Sequence, residues 1–130
     1  MEIEIFTLCD HAQDSAGKLT IVGTFDVIFA GQFPAIHPSC SIAGRLRFSD
    51  KEVGAHGFKL KLINESGTDV IPPIEGNVDV KKPEVGHHST VNFALNLFQL
   101  KFDNPGKYSI ELYIDGEWRS GLSLNVVKQK

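Results

Sequence analysis

Cys9 and His11 open, and His37 and Cys40 close, the stretch CDHAQDSAGKLTIVGTFDVIFAGQFPAIHPSC. Thiolate and imidazole are the ligands zinc prefers. Two residues apart on a strand, Cys9 and His11 would project to the same side and chelate together. Structural zinc sites, however, favour tight Cys-x-x-Cys knuckles, and none occurs here. Cys40 is in phase with Ile42, Leu46 and Phe48, and Cys9 with Ile3 and Ile5. Free cysteine packs as a small hydrophobe. The expectation is two inward-facing reduced thiols beside loop histidines, with no metal and no cofactor. A metal-binding protein or enzyme with a site near Cys9, His11, His37 and Cys40 is the alternative.

The other chemical groupings lead to the same reading. His87 and His88 would project to opposite faces of a strand and share a ligand only from a loop. Between Gly86 and Ser89 they read as a solvated turn. Asp10, Asp14, Asp50, Asp69, Asp103 and Asp115 lie in or near expected turns. Calcium requires about six converging oxygens, no D-x-D loop is present, and aspartate forms turns on its own account. The sequence has no G-x-S-x-G elbow, Walker loop, G-x-G-x-x-G or H-E-x-x-H. A non-enzymatic binding module is therefore expected ahead of an enzyme.

These residues must be held by strands. SCSIAGRLRFS alternates, with Cys40, Ile42, Leu46 and Phe48 on one side. STVNFALNLFQLKF sets Val91, Phe93, Leu95 and Leu97 together, and KYSIELYI aligns Tyr108, Ile110, Leu112 and Ile114. WRSGLSLNVV places Trp118 in phase with Leu122, Leu124 and Val126, which predicts a mostly buried indole. MEIEIFTL, KLTIVGTFDVIFA, FKLKLI and NVDVK read as further strands. Period-two alternation marks strands with one buried and one wet face. Asp115–Gly116 between two such runs predicts a two-residue hairpin turn, and Asp103 to Gly106 another turn. The expected fold is all-β: one domain over residues 1–130, an antiparallel immunoglobulin-like β-sandwich of seven or eight strands. A small β-barrel is the alternative.

One register can be read from the pattern. If strands 39–49 and 56–63 form a hairpin about Val53, Phe48 faces Phe58 and Leu46 faces Leu60. Arg47 then lies opposite Lys59, and Arg45 opposite Lys61. Like charges directly opposite are unfavourable, so the four cations need compensating acids, for example Glu111, or an acidic protein partner. Arg45, Arg47, Lys59 and Lys61 are thus the candidate partner-binding residues. Homo-oligomers through sheet edges are a further expectation.

Composition narrows the partners. With 42% hydrophobic and 22% charged residues the chain is long and apolar enough to bury one core. A net charge of −3 argues against nucleic acid, which requires a broad basic surface. The start, MEIEIFTLCDHAQD, carries glutamates where a signal peptide would be basic, and no apolar run approaches the roughly 20 residues that span a bilayer. A cytoplasmic location is expected, and two cysteines are too few for a disulfide scaffold.

The segments LCDHA, GKLTIVGTFDVIFAGQFPAIHPSC, RLRF and PGKYSIELYIDGEW together resemble an uncharacterised family of small bacterial proteins, catalogued only as a domain of unknown function. The resemblance covers nearly the whole chain. It implies a compact bacterial all-β domain and carries over no activity, cofactor or catalytic residue.

Overall fold

The computed structural model describes residues 1–130. Nine strands succeed one another: β1 (Glu2–Ser15), β2 (Lys18–Thr24), β3 (Val27–Ala30), β4 (Ala35–Ser49), β5 (Gly54–Asn64), β6 (Ile74–Val80), β7 (His88–Phe102), β8 (Gly106–Ile114) and β9 (Glu117–Lys128). The only helical element is a single 3-10 turn at Asp50–Glu52. The strands form a four-stranded sheet, β2-β1-β4-β7, and a five-stranded sheet, β3-β9-β8-β5-β6. The all-β, two-sheet expectation holds, with one strand more than the sequence predicts. KLTIVGTFDVIFA is two strands, because the chain changes sheets in its middle. Phe25 N donates to Leu8 O of β1 (3.1 Å), whereas Asp26 O accepts from Asn125 N of β9 (2.8 Å). β3 then runs parallel to β9, the one departure from antiparallel pairing.

Alternation decides what fills the space between the sheets. Ile42, Leu46, Phe48 and Phe102 come from one sheet; Leu60, Leu62, Ile110, Leu112, Ile114 and Leu124 come from the other. All are essentially sealed from solvent. Burial of each such side chain contributes roughly 1.5–3 kcal/mol.

The four-stranded sheet also buries part of its other face. Cys9, Ala12 and Ala43 form a second cluster there, covered by Leu19, Ile21 and Ala94. The small side chains let the sheet coil closely, and Asn92 of β7 ties the coil shut by donating to Asp14 Oδ1 (3.2 Å) and Gly17 O (3.1 Å). The sheet is thus half a barrel.

Two bulges correct two phase arguments. The β1–β4 register shifts between Ile3 and Ile5, so Ile3 faces the main core while Cys9 lies opposite Ser41 on the other face. Cys9 is buried, but not by the phase that predicted it. The β8–β9 register shifts between Leu112 and Tyr113, which pairs Tyr113 with Trp118 on the outer side. Trp118 is 58% exposed rather than buried. Its Nε1 donates to Glu111 Oε2. A bulge inserts one residue and so inverts the side-chain phase beyond it.

The expected hairpin of residues 39–49 with 56–63 does not form. β4 is held between β1 and β7, and β5 between β8 and β6, so the two lie in different sheets. The 3-10 turn carries the chain across, closed by Ser49 N donating to Glu52 Oε1 (2.9 Å). The real pairings also avoid the like-charge contacts the hairpin would have imposed.

Asp115–Gly116 does form the two-residue turn, with Ile114 opposite Glu117. Its φ values are +53° and +79°, as a type I′ turn requires. A β-branched side chain resists that conformation, so Gly116→Val is expected to destabilise the protein by about 1 kcal/mol or more. Thermal melts check this; an unchanged melting temperature would contradict it.

The same turn is anchored to β5. Asp115 Oδ1 accepts from Gly57 N (2.8 Å), and Asp115 Oδ2 accepts from His56 Nδ1 (2.7 Å). His56 Nε2 lies 2.6 Å from Glu52 O. Two acceptors require two N–H donors, which only the imidazolium supplies. The hydrogen bond to Asp115 accordingly raises the His56 pKa above its ordinary 6.5, and the same bond lowers that of Asp115. A raised pKa adds stability that is complete below pH 6.5 and is lost as pH rises through the raised value. The depressed Asp115 adds stability present above its ordinary 3.8 and lost as pH falls through its lowered value. Melting temperature should therefore fall on the alkaline side of pH 6.5, and His56→Gln should flatten that fall. Equal alkaline slopes for the two proteins would refute it.

Candidate functional site

β6 and β7 are edge strands of different sheets, joined by residues 81–87. At the connection Ser89 Oγ donates to Lys81 O (2.7 Å) and pinches them together. Beyond it they bound an open cleft of about 410 Å³. Ile74 and Val78 of β6, and Val91, Phe93 and Leu95 of β7, line it, with Phe58 of β5. Even spacing, by two in β7 and by four between Ile74 and Val78, turns these apolar residues to the same side of each strand. All six are only half-buried, whereas their counterparts elsewhere between the sheets are sealed.

Two glycines shape the cleft. Gly44 of β4 lies opposite Phe93, whose ring occupies the space a side chain would take: a Cβ there would sit 2.2 Å from Phe93 Cζ. The Phe93 ring meets Phe58 edge-on at 5.0 Å and approaches Phe6 at 6.4 Å, forming an aromatic floor. Gly76 lies midway along β6, opposite Phe58. A Cβ at Gly76 would have no atom within 4 Å, and its backbone is not left-handed. Its missing side chain leaves a gap in the apolar lining and is not a backbone necessity.

The walls are also unpaired backbone. β6 pairs only with β5, and β7 only with β4. Each residue carries one donor and one acceptor, and a free edge is a template for another strand. At the rim of the cleft, in the opposite phase to Ile74 and Val78, β6 presents exposed Glu75, Asn77 and Asp79. Glu75 lies opposite Lys59, yet the Lys59 ammonium sits 4.6 Å from the Tyr113 ring centre, and Glu75 forms no ion pair. Asp79 has only the exposed Lys81, at 3.2 Å.

The residues singled out by sequence lie elsewhere. Arg45 Nε donates to Glu4 Oε1 (2.9 Å) and Arg47 pairs with Glu2, both across the β1–β4 ladder. Lys61, on the other sheet, is 3.5 Å from Asp69, and Glu111 accepts from Ser109 and Trp118. The single face of four cations therefore does not exist: strand pairing divides Arg45 and Arg47 from Lys59 and Lys61.

Cys9, His11, His37 and Cys40 are likewise dispersed. The single S–H of Cys9 has two carbonyl acceptors within reach, His11 O (3.4 Å) and Ser41 O (3.5 Å). Cys40 belongs to the main core, where burial pushes its thiol up to about 11. The His11 side chain is exposed, and His37 lies against Phe25 with its Nε2 buried and unpartnered. No three His, Cys, Asp or Glu side chains are grouped to hold a metal ion. His87 is exposed beside Asp50 at 3.1 Å, and His88 begins β7. The cleft itself escaped the sequence reading. Its one local signal is a glycine inside the strand sequence IEGNVDV, a composition that marks close approach or missing packing.

Fold and cleft together define a two-layer β protein with an apolar slot between two free strand edges. A family model described as a family of unknown function (DUF6941) matches residues 4–127, and the chain belongs to that family. No curated protein matches it. No helix is long and apolar enough to cross a membrane.

Proposed function

We propose that the chain is a non-enzymatic binding module of immunoglobulin-like type, bacterial and cytoplasmic, that captures an extended polypeptide segment in the cleft between β6 and β7. The observation that carries this reading is the coincidence of a free strand edge with a half-buried apolar slot alongside it. A segment laid along β6 would gain main-chain hydrogen bonds from the edge and bury alternate side chains in the slot. The seven residues of β6 offer about 23 Å of edge, enough for a segment of similar length. Two reduced, buried thiols suit a reducing compartment.

Gly76→Leu tests the reading. The side chain has room, so the variant should fold with an unchanged or higher melting temperature. It fills the slot, so peptides selected by the native protein from a random displayed library should bind the variant at least about tenfold more weakly. Selected peptides that bind both proteins equally, or a library that yields none, would overturn the reading.

A further inference from the structure

Resting on strand capture at β6, we infer that the captured segment is basic on its outer face: apolar residues at alternate positions enter the cleft, and Lys or Arg occupies the outer positions beside Glu75 and Asp79.

A strand added to β6 must match its alternation. Its inward side chains fall beside Ile74, Gly76 and Val78, and its outward ones beside Glu75, Asn77 and Asp79. Cross-strand neighbours are the unit of sheet stabilisation, and opposite charges are favoured there. Glu75 has no ion pair in the protein, because Lys59 is drawn over Tyr113. Asp79 has only an exposed lysine within reach. Two cations four residues apart on the new strand would meet one carboxylate each, at no loss of a buried pair. Beside Gly76 the slot has no lining side chain, so the segment's largest apolar residue belongs there, over Phe58 and Phe93.

The same charges exclude a second copy of this chain. The antiparallel register that uses all of β6 is centred on Asn77, midway between Ile74 and Val80. It sets Glu75 opposite Asp79 of the second molecule, twice. Like charges directly opposite are destabilising, and charged edges are a common guard against self-pairing. The edge therefore repels itself and favours a basic strand.

The test titrates the isotope-labelled full chain, monitored by its amide resonances, with two blocked nonapeptides. One is Thr-Val-Lys-Val-Thr-Phe-Lys-Val-Thr; its twin carries glutamate in place of both lysines. The lysine peptide should shift the β6 amides and bind about tenfold more tightly than the twin. That ratio should shrink in high salt, as screening of exposed charges requires, and vanish in Glu75→Gln/Asp79→Asn. If both peptides bind β6 alike, the charge rule fails while strand capture stands, and the carboxylates are guards alone. If neither touches β6, and Gly76→Leu changes nothing, strand capture fails with it. Concentration-dependent shifts of β6 without peptide would identify a second copy as the occupant and overturn the inference.

Discussion

Replacing Gly44 with valine is expected to destabilise the protein by about 3 kcal/mol, a fall of roughly 10 °C in melting temperature for a domain of this size. Gly44 is fully buried in β4, flanked by Phe6 of β1 and Phe93 of β7. A Cβ would lie 2.2 Å from Cζ and 2.3 Å from Cε1 of Phe93. Phe58, meeting the ring edge-on at 5.0 Å, restricts its escape toward the cleft, so the ring must give up that contact to make room. Gly44 does not have a left-handed φ, so valine, a good strand residue, should be excluded by volume alone. Phe93→Ala made together with Gly44→Val should therefore recover part of the loss, in a double-mutant cycle read by thermal melts. Additive losses would show that the ring does not rest on Gly44.

Phe48→Ala should cost still more, about 4 kcal/mol, with the denaturation midpoint displaced and its slope unchanged. Phe48 is completely buried near the end of β4, where the chain leaves one sheet for the other. Its ring packs against His56 in a tilted arrangement at 5.0 Å, so it also supports the residue that anchors the β8–β9 turn. Removing it leaves a cavity that two hydrogen-bonded sheets cannot easily close. Phe58→Ala should cost clearly less, because Phe58 is only partly buried on the cleft floor and gives up less burial. Equal losses from the two would contradict this difference in environment.

Much of this architecture is legible locally. Cys40, Ile42, Leu46 and Phe48 share a core face, as do Tyr108, Ile110, Leu112 and Ile114, because strand geometry sends alternate side chains to one side. Asp115–Gly116 is a tight turn for an equally local reason: the positive φ values it demands. Where a prediction had to cross a bulge, it failed. Ile3 and Cys9, like Trp118 and Leu122, keep their spacing in sequence but not their phase.

Pairing was less legible still. The alternation of residues 39–49 and 56–63 suits a hairpin, yet β4 is occupied on both sides by β1 and β7. The alternating glutamates of MEIE supply the carboxylates that meet Arg45 and Arg47, a match visible only once β1 and β4 are neighbours. The cleft was invisible for the same reason. Gly76, Val78 and Phe93 each look like ordinary strand residues, and the slot between them exists because β6 and β7 end different sheets and remain unpaired. By itself, then, the sequence determined strands, their buried faces and the Asp115–Gly116 turn, since these depend on backbone geometry over a few residues. Tertiary structure alone decided the strand partners, the phase beyond each bulge and the free edges, since these depend on which distant segments compete for the same hydrogen bonds.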